Sequence, residues 1–461
     1  MLPNTRFLSF TSLGRAHSAP RIWCEGDRLT ALNFGPGARF SVTGSGSRLT
    51  LKADATGDRT VSYRRNAAGI HPIIDLNSAR VLGGLSEFET IKVAGSFGRL
   101  DLSPSIRAFH VARARRAEPP FHITEFCCGG GSLSRAFSRD CRFLVTAGVD
   151  VSPDYLNVWE KAHPEAVQIQ GDMRAIHPSE LPARLDVLVA GLPCTSHSAH
   201  GRAKKGLAGT PELGDTGDLF VSFLGVVMAR MPLAIVVENV ALFGSSLAGQ
   251  LLVTHLERLG YSVTTTVLQP HDEWGQISDR RRYCLVATLT PGFSIQAPGV
   301  AFAGTAASVL DPIDLVQDAA DADRIANTVV GLDRHNARHA ALGHGFKYAV
   351  IDRDSTSIPV LTKSYHKINL GPFVRCADGR IRMLRQGELE RIHGTTVATT
   401  HFATAAEIIG QGVQEPVWAE IARQLADHLT GVSRPAPAAT SAVFTSAPNP
   451  AEEVGQMALF A

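Results

Sequence analysis

The feature that most constrains the fold is an alternation of apolar strand-like runs with helix-length segments between residues 121 and 290. The strand-like runs are FHITEFCC, LVTAGVDV, AVQIQGD, LDVLVAG, LAIVVENV, SVTTTVL and RYCLVATL. The segments DYLNVWEKAH, GDLFVSFLGVVMARM and SLAGQLLVTHLERLG have the length and apolar spacing of helices. This alternation predicts a mostly parallel sheet covered by helices on both faces. Ligands of such sheets bind beyond the carboxyl ends of the strands.

The regions on either side of this segment have different patterns. Residues 1–118 contain short alternating stretches separated by turn residues, which predicts a small all-β module that ends in the basic linker RARRAEPP. We assign residues 119–290 to the α/β core, 291–375 to an inserted irregular region, and 376–432 to helices that complete the core. The Pro-, Ala- and Ser-rich residues 433–461 are expected to be disordered.

The composition is that of an ordinary globular protein, with 44% hydrophobic and 19% charged residues in a chain of 461. No apolar run approaches the ~18 to 20 residues of a membrane span, and the N-terminus lacks the apolar centre of a secretory signal. We therefore expect a cytoplasmic, nucleoid-associated protein without a membrane partner. The seven scattered cysteines show neither disulfide nor zinc spacing, so no metal site is predicted.

The net charge of +2 is unevenly distributed along the chain. Residues 1–118 contain 17 Lys and Arg against 9 Asp and Glu, whereas the remaining residues contain 28 against 34. A basic module of this kind is suited to binding a polyanion. A basic surface that only contacts solvent would show the same excess of Lys and Arg.

Polar residues and glycines follow three consecutive strand-like runs. The first run leads into the glycine-rich turn CCGGGS at residues 127–132, and the next two end at Asp150 and Asp172. A glycine-rich turn lets the backbone approach a ligand, and an acid after the second strand is where nucleotide-type ligands place their ribose hydroxyls. Each feature alone also fits a tight turn or a helix cap, but three strand ends together predict one polar site.

The fourth and fifth runs supply groups that suit catalysis. The fourth delivers Cys194 directly after Pro193, and the fifth ends with Glu238 after a run too apolar to be exposed. A lone cysteine is more often a buried apolar residue, but a buried carboxylate is costly unless it is paired or used. The segment SDRRRY contains Arg280 and Arg282, which could pair with the carboxylate of Glu238. We therefore expect the thiol, the acid and the arginines to lie close together at neighbouring strand ends.

The motifs CCGGGS, VDVS, GDM, GLPC, GDTGDLF, ENV, SDRRRY, LRQGELERIHG and GQGVQEPV occur in this order over residues 121–431. This series resembles the S-adenosylmethionine-dependent cytosine C5 DNA methyltransferases. The resemblance implies a class I methyltransferase fold, Rossmann-like, with a seven-stranded mostly parallel sheet and a target-recognition domain at residues 291–375. It also implies S-adenosylmethionine as cofactor, double-stranded DNA as substrate, and bacterial or phage restriction-modification as a setting.

The resemblance assigns a role to each matching position. For the cofactor, it implies Cys128, Gly129 and Gly131 at the methionine part, Asp150 at the ribose, Asp172 at the adenine amine, and Pro193 at the same pocket. For catalysis, it implies Cys194 as the nucleophile that adds to C6 of a flipped cytosine, and Glu238 as the group at N3. Arg282 then contacts the base carbonyl and holds Glu238, and Arg280 lies nearer the phosphate or the loop.

Five positions depart from the family pattern without removing a reacting group. Cys127 stands where the family has Phe, and Thr195 and His197 replace the usual Gln and Phe. Ser278 replaces a Gln and Gln411 an Asn. At these positions the stacking of the cofactor and the geometry of the loop are expected to differ from the family pattern. Because the reacting groups are kept, we expect a divergent but active enzyme.

Two alternatives to a DNA methyltransferase stay open. In the first alternative the protein methylates tRNA, as related enzymes do. In the second it is a regulator that binds DNA through its β module and whose methylase domain is degenerate and inactive.

The β module itself resembles the swapped-hairpin AbrB-like and SymE-like proteins, and such a module is able to dimerise. Near the end of the tail, residues 456–460 read QMALF and are followed by Ala461. This segment resembles clamp-binding peptides, so Gln456, Leu459 and Phe460 are predicted to bind a sliding clamp. The target sequence and any cognate nuclease stay open.

Overall fold

The computed structural model describes residues 6–16, 18–67, 69–193, 216–312, 319–341, 348–368 and 371–432. The described residues fall into two compact units, which meet in the sequence between Arg116 and Ala117. None of the helices within these ranges combines the length and the apolar character needed to cross a membrane.

The first unit is built from two antiparallel sheets around one core. Its strands are β1 Phe7–Ser12, β2 Gly14–Ala16, β3 Ala19–Glu25, β4 Arg39–Ser45, β5 Arg48–Ala53, β6 Arg59–Thr60, β7 Ser62–Asn66, β8 Gly69–Leu76, β9 Thr90–Ser96 and β10 Arg99–Pro104. The larger sheet has the order β1-β9-β10-β5-β4-β6, and the smaller has the order β2-β3-β8-β7. Alternate residues of both sheets point into the shared core, as the alternating sequence predicts.

The first unit also contains helices that the prediction of an all-β module omitted. They are α1 Arg28–Ala31, α2 Ala79–Leu82 and α3 Ile106–Arg115. The side chain of Ser105 caps α3 by accepting a hydrogen bond from the Ala108 amide at 3.1 Å. Part of the predicted linker RARRAEPP is therefore the last turn of this helix, and buried Ala112 joins it to the β core.

The second unit contains the predicted seven-stranded sheet. Its strands are β11 Phe121–Phe126, β12 Phe143–Asp150, β13 Val167–Gln170, β14 Val187–Gly191, β15 Ala234–Val240, β16 Ser262–Leu268 and β17 Arg282–Thr288. The order is β13-β12-β11-β14-β15-β17-β16, and only the pairings of β17 are antiparallel. Strand β14 and the first four residues of β15 are continuous apolar runs, which is typical of parallel strands that are buried on both faces. The prediction of a mostly parallel sheet is confirmed.

The remaining elements surround this sheet. The helices are α4 Ser132–Ser138, α5 Pro153–Ala162, α6 Leu219–Arg230, α7 Leu247–Leu259, α8 Pro270–Glu273, α9 Ala319–Ala341, α10 Gln386–His393, α11 Phe402–Gln411 and α12 Glu415–Leu429, and a small sheet holds β18 Val350–Ile351, β19 Phe373–Arg375 and β20 Ile381–Met383. The region 291–375, predicted as irregular, thus contains a helix of 23 residues. Helix α12 returns to α4, where Arg135 Nε donates to Glu415 Oε1 at 2.8 Å.

Candidate active site

The carboxyl edge of the sheet collects the residues that the sequence singled out. Strands β11, β12, β14 and β15 run in parallel, so their ends meet at one edge. The turn at residues 127–131, Asp150, Pro193 and Glu238 lie at or directly beyond these four ends. Topology therefore brings these four positions to one edge of the sheet.

The glycine-rich turn requires its glycines. Gly129 and Gly131 have φ angles of +51° and +82°, a region that residues with a Cβ rarely adopt. A Cβ on Gly131 would lie 2.7 Å from Cδ1 of Trp159. Buried Cys128 anchors the turn, since its amide donates to the Val149 carbonyl at 3.1 Å and its carbonyl accepts from the Gly131 amide at 2.8 Å.

The carboxylate of Asp150 organises the same turn. Its Oδ2 accepts a hydrogen bond from the Gly129 amide at 2.8 Å, and its Oδ1 accepts one from the Ser152 amide at 2.9 Å. The side chain therefore links the end of β12 to the turn after β11. A ligand at this edge meets a carboxylate whose position is fixed on two sides.

Asp172 lies after β13 and is exposed. It accepts hydrogen bonds from the amide of Arg174 and from Arg174 Nη1, both at 2.9 Å. These bonds hold the pKa of Asp172 below its ordinary value. The carboxylate stays ionised and is available as an acceptor at the outer end of the edge.

Glu238 is the buried acid of the site. It pairs in register with Gly191 on β14 and with Cys284 on β17, and only 8% of its surface is exposed. Arg282 Nε lies 2.8 Å from Glu238 Oε1. Burial raises the pKa of Glu238, and the charges of Arg282 and Arg280 oppose that rise. The expected pairing of Arg282 with Glu238 is present in the structure.

Asn239 ties the end of β15 to the segment that follows β14. Its Nδ2 donates to the Leu192 carbonyl at 3.2 Å, and its Oδ1 accepts from the Val240 amide at 2.8 Å. The side chain is buried, with 1% exposed. It therefore fixes the backbone two residues before Cys194. Cys194, Thr195 and His197 themselves lie outside the described residues.

Arg280 differs from its predicted place near a phosphate or the loop. It is 3% exposed, and its Nε, Nη1 and Nη2 donate to the carbonyls of Gly412, Leu361 and Gly410 at 2.8, 2.9 and 2.8 Å. The guanidinium thus joins the segment before β17 to the end of α11 and to a segment of the inserted region. Its surroundings are those of a positioning residue, because carbonyl oxygens occupy its donors.

Sequence reasoning missed Glu125, a buried carboxyl group beneath the glycine-rich turn. Its Oε2 accepts a hydrogen bond from Trp159 Nε1 at 3.2 Å, and the same Nε1 lies 3.2 Å from the Ser134 hydroxyl. Burial raises the pKa of Glu125 to about 7. The signal was present in the sequence, since Glu125 interrupts the apolar run FHITEF.

Comparisons with known proteins agree with this geometry. The sequence model of a family described as C-5 cytosine-specific DNA methylase matches residues 121–427. The Type II methyltransferase M.NlaX of Neisseria lactamica is 27% identical over 323 residues, which cover 68% of this chain and 98% of that protein.

Two solved structures are similar in fold. The Entamoeba histolytica methyltransferase EhMeth has a TM-score of 0.53 and 18% identity, covering 68% of this chain and 98% of its own. The S. pombe Dnmt2 methyltransferase has a TM-score of 0.52 and 14% identity, covering 67% of this chain and 98% of its own. Because the family match spans most of the chain, the protein belongs to the C-5 cytosine-specific DNA methylases.

Proposed function

We propose that this DNA cytosine-5 methyltransferase acts through a covalent adduct between the Cys194 thiolate and C6 of a cytosine flipped out of double-stranded DNA. The observation that carries the proposal is the buried pair of Glu238 and Arg282. This pair lies on β15 and β17, and β15 neighbours β14, the strand that leads to Pro193 and Cys194. A buried acid that is held by an arginine, on the strand next to the one that leads to Cys194, suits nucleophilic catalysis on a pyrimidine ring.

The residues at the carboxyl edge fit S-adenosylmethionine. A Cβ placed on Gly129 would be in ordinary van der Waals contact with Gln411 Nε2 at 3.8 Å, so the positive φ angle, and not crowding, favours glycine at this position. We assign the methionine part to Cys128, Gly129 and Gly131, the ribose hydroxyls to Asp150, the adenine amine to Asp172, and a pocket wall to Pro193. When bound, S-adenosylmethionine supplies an electrophilic methyl group on a sulfonium.

The protein's own residues activate the base. Cytosine C5 is a poor nucleophile, and addition of the Cys194 thiolate to C6 makes the ring enamine-like. Glu238 donates a proton or hydrogen bond to N3 as negative charge develops there, and Arg282 keeps Glu238 in place. Once C5 carries the methyl group, the C5 proton passes to solvent, the C5–C6 double bond forms again, and the C6–S bond breaks to release the Cys194 thiolate. Base flipping costs a few kcal/mol, which contacts between protein and DNA offset.

Covalent trapping tests this mechanism directly. Purified enzyme is incubated with S-adenosylmethionine and duplex DNA that contains 5-fluorocytosine, because fluorine at C5 blocks the elimination step. We expect an adduct on Cys194, seen on denaturing gels and located by mass spectrometry, and its loss in Cys194→Ala. An adduct with a matched RNA but not with DNA would overturn the DNA assignment. Failure to form an adduct on any DNA sequence, with cofactor binding intact, favours the inactive regulator.

We also propose a partner for the C-terminal tail, which lies outside the described residues. A linker that ends in QMALF has the form of a short peptide ligand with two apolar anchors. We expect the full chain to bind a bacterial sliding clamp, and Leu459→Ala with Phe460→Ala to abolish binding in a pull-down. Unchanged binding of the double variant would refute this role.

A further inference from the structure

The first unit has two outward sheet faces, and these faces differ in charge. The core between the two sheets receives Leu51, Val93 and Leu100 from the larger sheet and Ile22 and Leu76 from the smaller one. Because side chains alternate along a strand, the residues between these point away from the core. The registers of the strands therefore define which charged residues share each outward face.

The outward face of the larger sheet, called the basic face below, has five cationic side chains and one carboxylate on its strands, and a second carboxylate directly after β5. The cations are Arg39, Arg48, Lys52, Lys92 and Arg99, and the carboxylate on the strands is Asp101. The second carboxylate is Asp54, whose charge interacts with those of Lys52 and Arg39. Lys52 stands between Ser41 and Arg99 across three adjacent strands. Lys92 lies opposite Ser103 on one side and Phe10 on the other.

The carboxylate of Asp101 is already neutralised, and Asp54 leaves the basic face with an excess of cations. Arg99 Nη2 lies 2.8 Å from Asp101 Oδ1, and the Thr50 hydroxyl donates to the same oxygen at 2.6 Å. Within the described part of the chain, Arg48, Lys52 and Lys92 form no ion pair. Arg48 and Lys52 are four residues apart on β5, a separation of roughly 13 Å at the rise of an antiparallel strand.

The outward face of the smaller sheet is balanced instead. Arg21 Nε lies 2.8 Å from Asp75 Oδ1, and Arg64 Nη2 lies 2.6 Å from Glu25 Oε1. Asp75 lies on the strand next to that of Arg21, whereas Glu25 and Arg64 face each other across the intervening strand β8. The excess of basic residues in the first 118 positions is therefore not spread evenly over the module.

The other side chains of the basic face suit a phosphate backbone. Hydroxyl groups surround the cations, contributed by Ser41, Thr43, Ser45, Ser96 and Ser103. At the edge strand β1, Leu8 and Phe10 remain 54% and 59% exposed. Cations with hydroxyl donors bind phosphates, and exposed apolar groups beside them can contact sugars or bases.

We propose that the basic face binds the phosphate backbone of double-stranded DNA, as a contact separate from the one made by the catalytic unit. Duplex DNA is the partner because it matches the charge and is the polymer on which this family acts. Each lysine or arginine that neutralises a phosphate releases condensed counterions, so binding weakens as salt rises. This contact depends on neither Cys194 nor base flipping.

The test compares two triple variants of the full chain. The face variant carries Arg48→Gln, Lys52→Gln and Lys92→Gln. Its binding to a duplex of only A·T pairs is measured by fluorescence anisotropy over a series of salt concentrations, so that no cytosine can engage the catalytic site. We expect about a tenfold rise in Kd, and a salt slope shallower by about 0.9 for each phosphate that the variant no longer neutralises.

The control variant carries Arg65→Gln, Arg80→Gln and Arg107→Gln, three exposed cations outside the basic face. It loses the same net charge, and we expect its salt slope to match that of the wild type. Equal effects of the two variants, or no effect of the face variant, would overturn the proposal. So would a loss of binding to an RNA duplex without a loss on DNA. Trapping of Cys194 is measured separately, so the two proposals can fail independently.

Discussion

At the scale of single residues, burial prepares Glu238 for its proposed role. The surrounding strands desolvate the carboxyl group and raise its pKa, while Arg282 at 2.8 Å and the more distant Arg280 limit the rise. A carboxyl group whose pKa is raised keeps its proton to higher pH and can donate it to a ring nitrogen. The same burial fixes its geometry, because Glu238 lies within the sheet.

Replacing Glu238 by Gln removes the transferable proton and keeps the shape of the side chain. We expect kcat to fall by about 100-fold or more, the range typical of a lost general acid, with S-adenosylmethionine affinity unchanged. Single-turnover methylation and calorimetry measure the two quantities. Glu257→Gln, at an exposed position of α7, serves as control and should leave both unchanged. A Glu238→Gln enzyme with nearly wild-type kcat would contradict the assigned role.

Replacing Arg282 by Gln should shift the pH profile of the reaction. Arg282 lowers the pKa of Glu238, so its loss lets burial raise that pKa further. Because the proposed donor must be protonated, activity falls as pH rises through this pKa, and the falling limb should move to higher pH in the variant. The measurement is kcat against pH. A limb that stays in place or moves to lower pH argues against Glu238 as the donor.

At the scale of elements, Arg280 joins three segments that are distant in sequence. Its carbonyl partners belong to the end of α11 and to the residue Leu361. Carbonyls at a helix C-terminus have no hydrogen-bond donor within the helix and carry partial negative charge. A buried guanidinium supplies both the missing donors and the opposite charge. Gln414 adds a further link, since its Nε2 donates to the Ser278 carbonyl at 2.9 Å.

Arg280→Lys should therefore destabilise the protein without changing its ionic contacts to DNA. A lysine cannot reach all three carbonyls, and the unpaired ones cost on the order of 3 kcal/mol in unfolding free energy. Urea unfolding measures this loss, and the salt slope of DNA binding should remain that of the wild type. The exposed neighbour Arg281→Lys is the control. An unfolding free energy equal to that of the wild type would contradict the positioning role of Arg280.

The turn before α4 supports a second prediction at this scale. Gly131→Ala forces a Cβ against Trp159 at a φ angle of +82°, so the turn must shift. We expect S-adenosylmethionine affinity to fall at least about tenfold, together with a loss of about 1 to 3 kcal/mol in stability. Gly225→Ala lies in α6 with open space around it and should stabilise slightly. Normal cofactor affinity in Gly131→Ala would place the ligand away from this turn.

At the scale of the whole molecule, buried titratable groups set how stability depends on pH. Burial raises the pKa of Glu125 to about 7, and burial lowers the pKa of His163 to about 4. The Glu125 contribution is fully present below about pH 4.5 and is lost as pH rises through 7, because ionisation is then favoured in the unfolded chain. The His163 contribution has the opposite sign, since the unfolded chain takes up a proton below about pH 6.5.

Glu125→Gln isolates the first of these contributions. The amide can still accept from Trp159, and it cannot ionise. We expect the variant to gain stability relative to the wild type as pH rises from 5 to 8, by on the order of 3 kcal/mol in unfolding free energy. Urea unfolding across this range measures the difference. A difference that is constant with pH would show that Glu125 titrates normally.

The sequence by itself determined the sheet and the location of the candidate site. Apolar runs separated by helices leave a parallel sheet as the arrangement that buries both faces of each strand, as β14 and β15 show. The carboxyl ends of parallel strands then gather at one edge whatever the side chains are. The glycine-rich turn, Asp150 and Glu238 could therefore be placed together from the order of the strands alone.

Only the tertiary structure decided what Arg280 and the cations of the first unit face. Arg280 and Arg282 are two residues apart, yet one binds carbonyls more than 80 residues away and the other binds Glu238. In the first unit, the number of cations can be read from the sequence, but their neighbours depend on strand register. Asp75 neutralises Arg21, whereas Lys52 lies opposite Ser41. Charge acts through space over a few ångströms, and those distances are set by contacts between residues far apart in the chain.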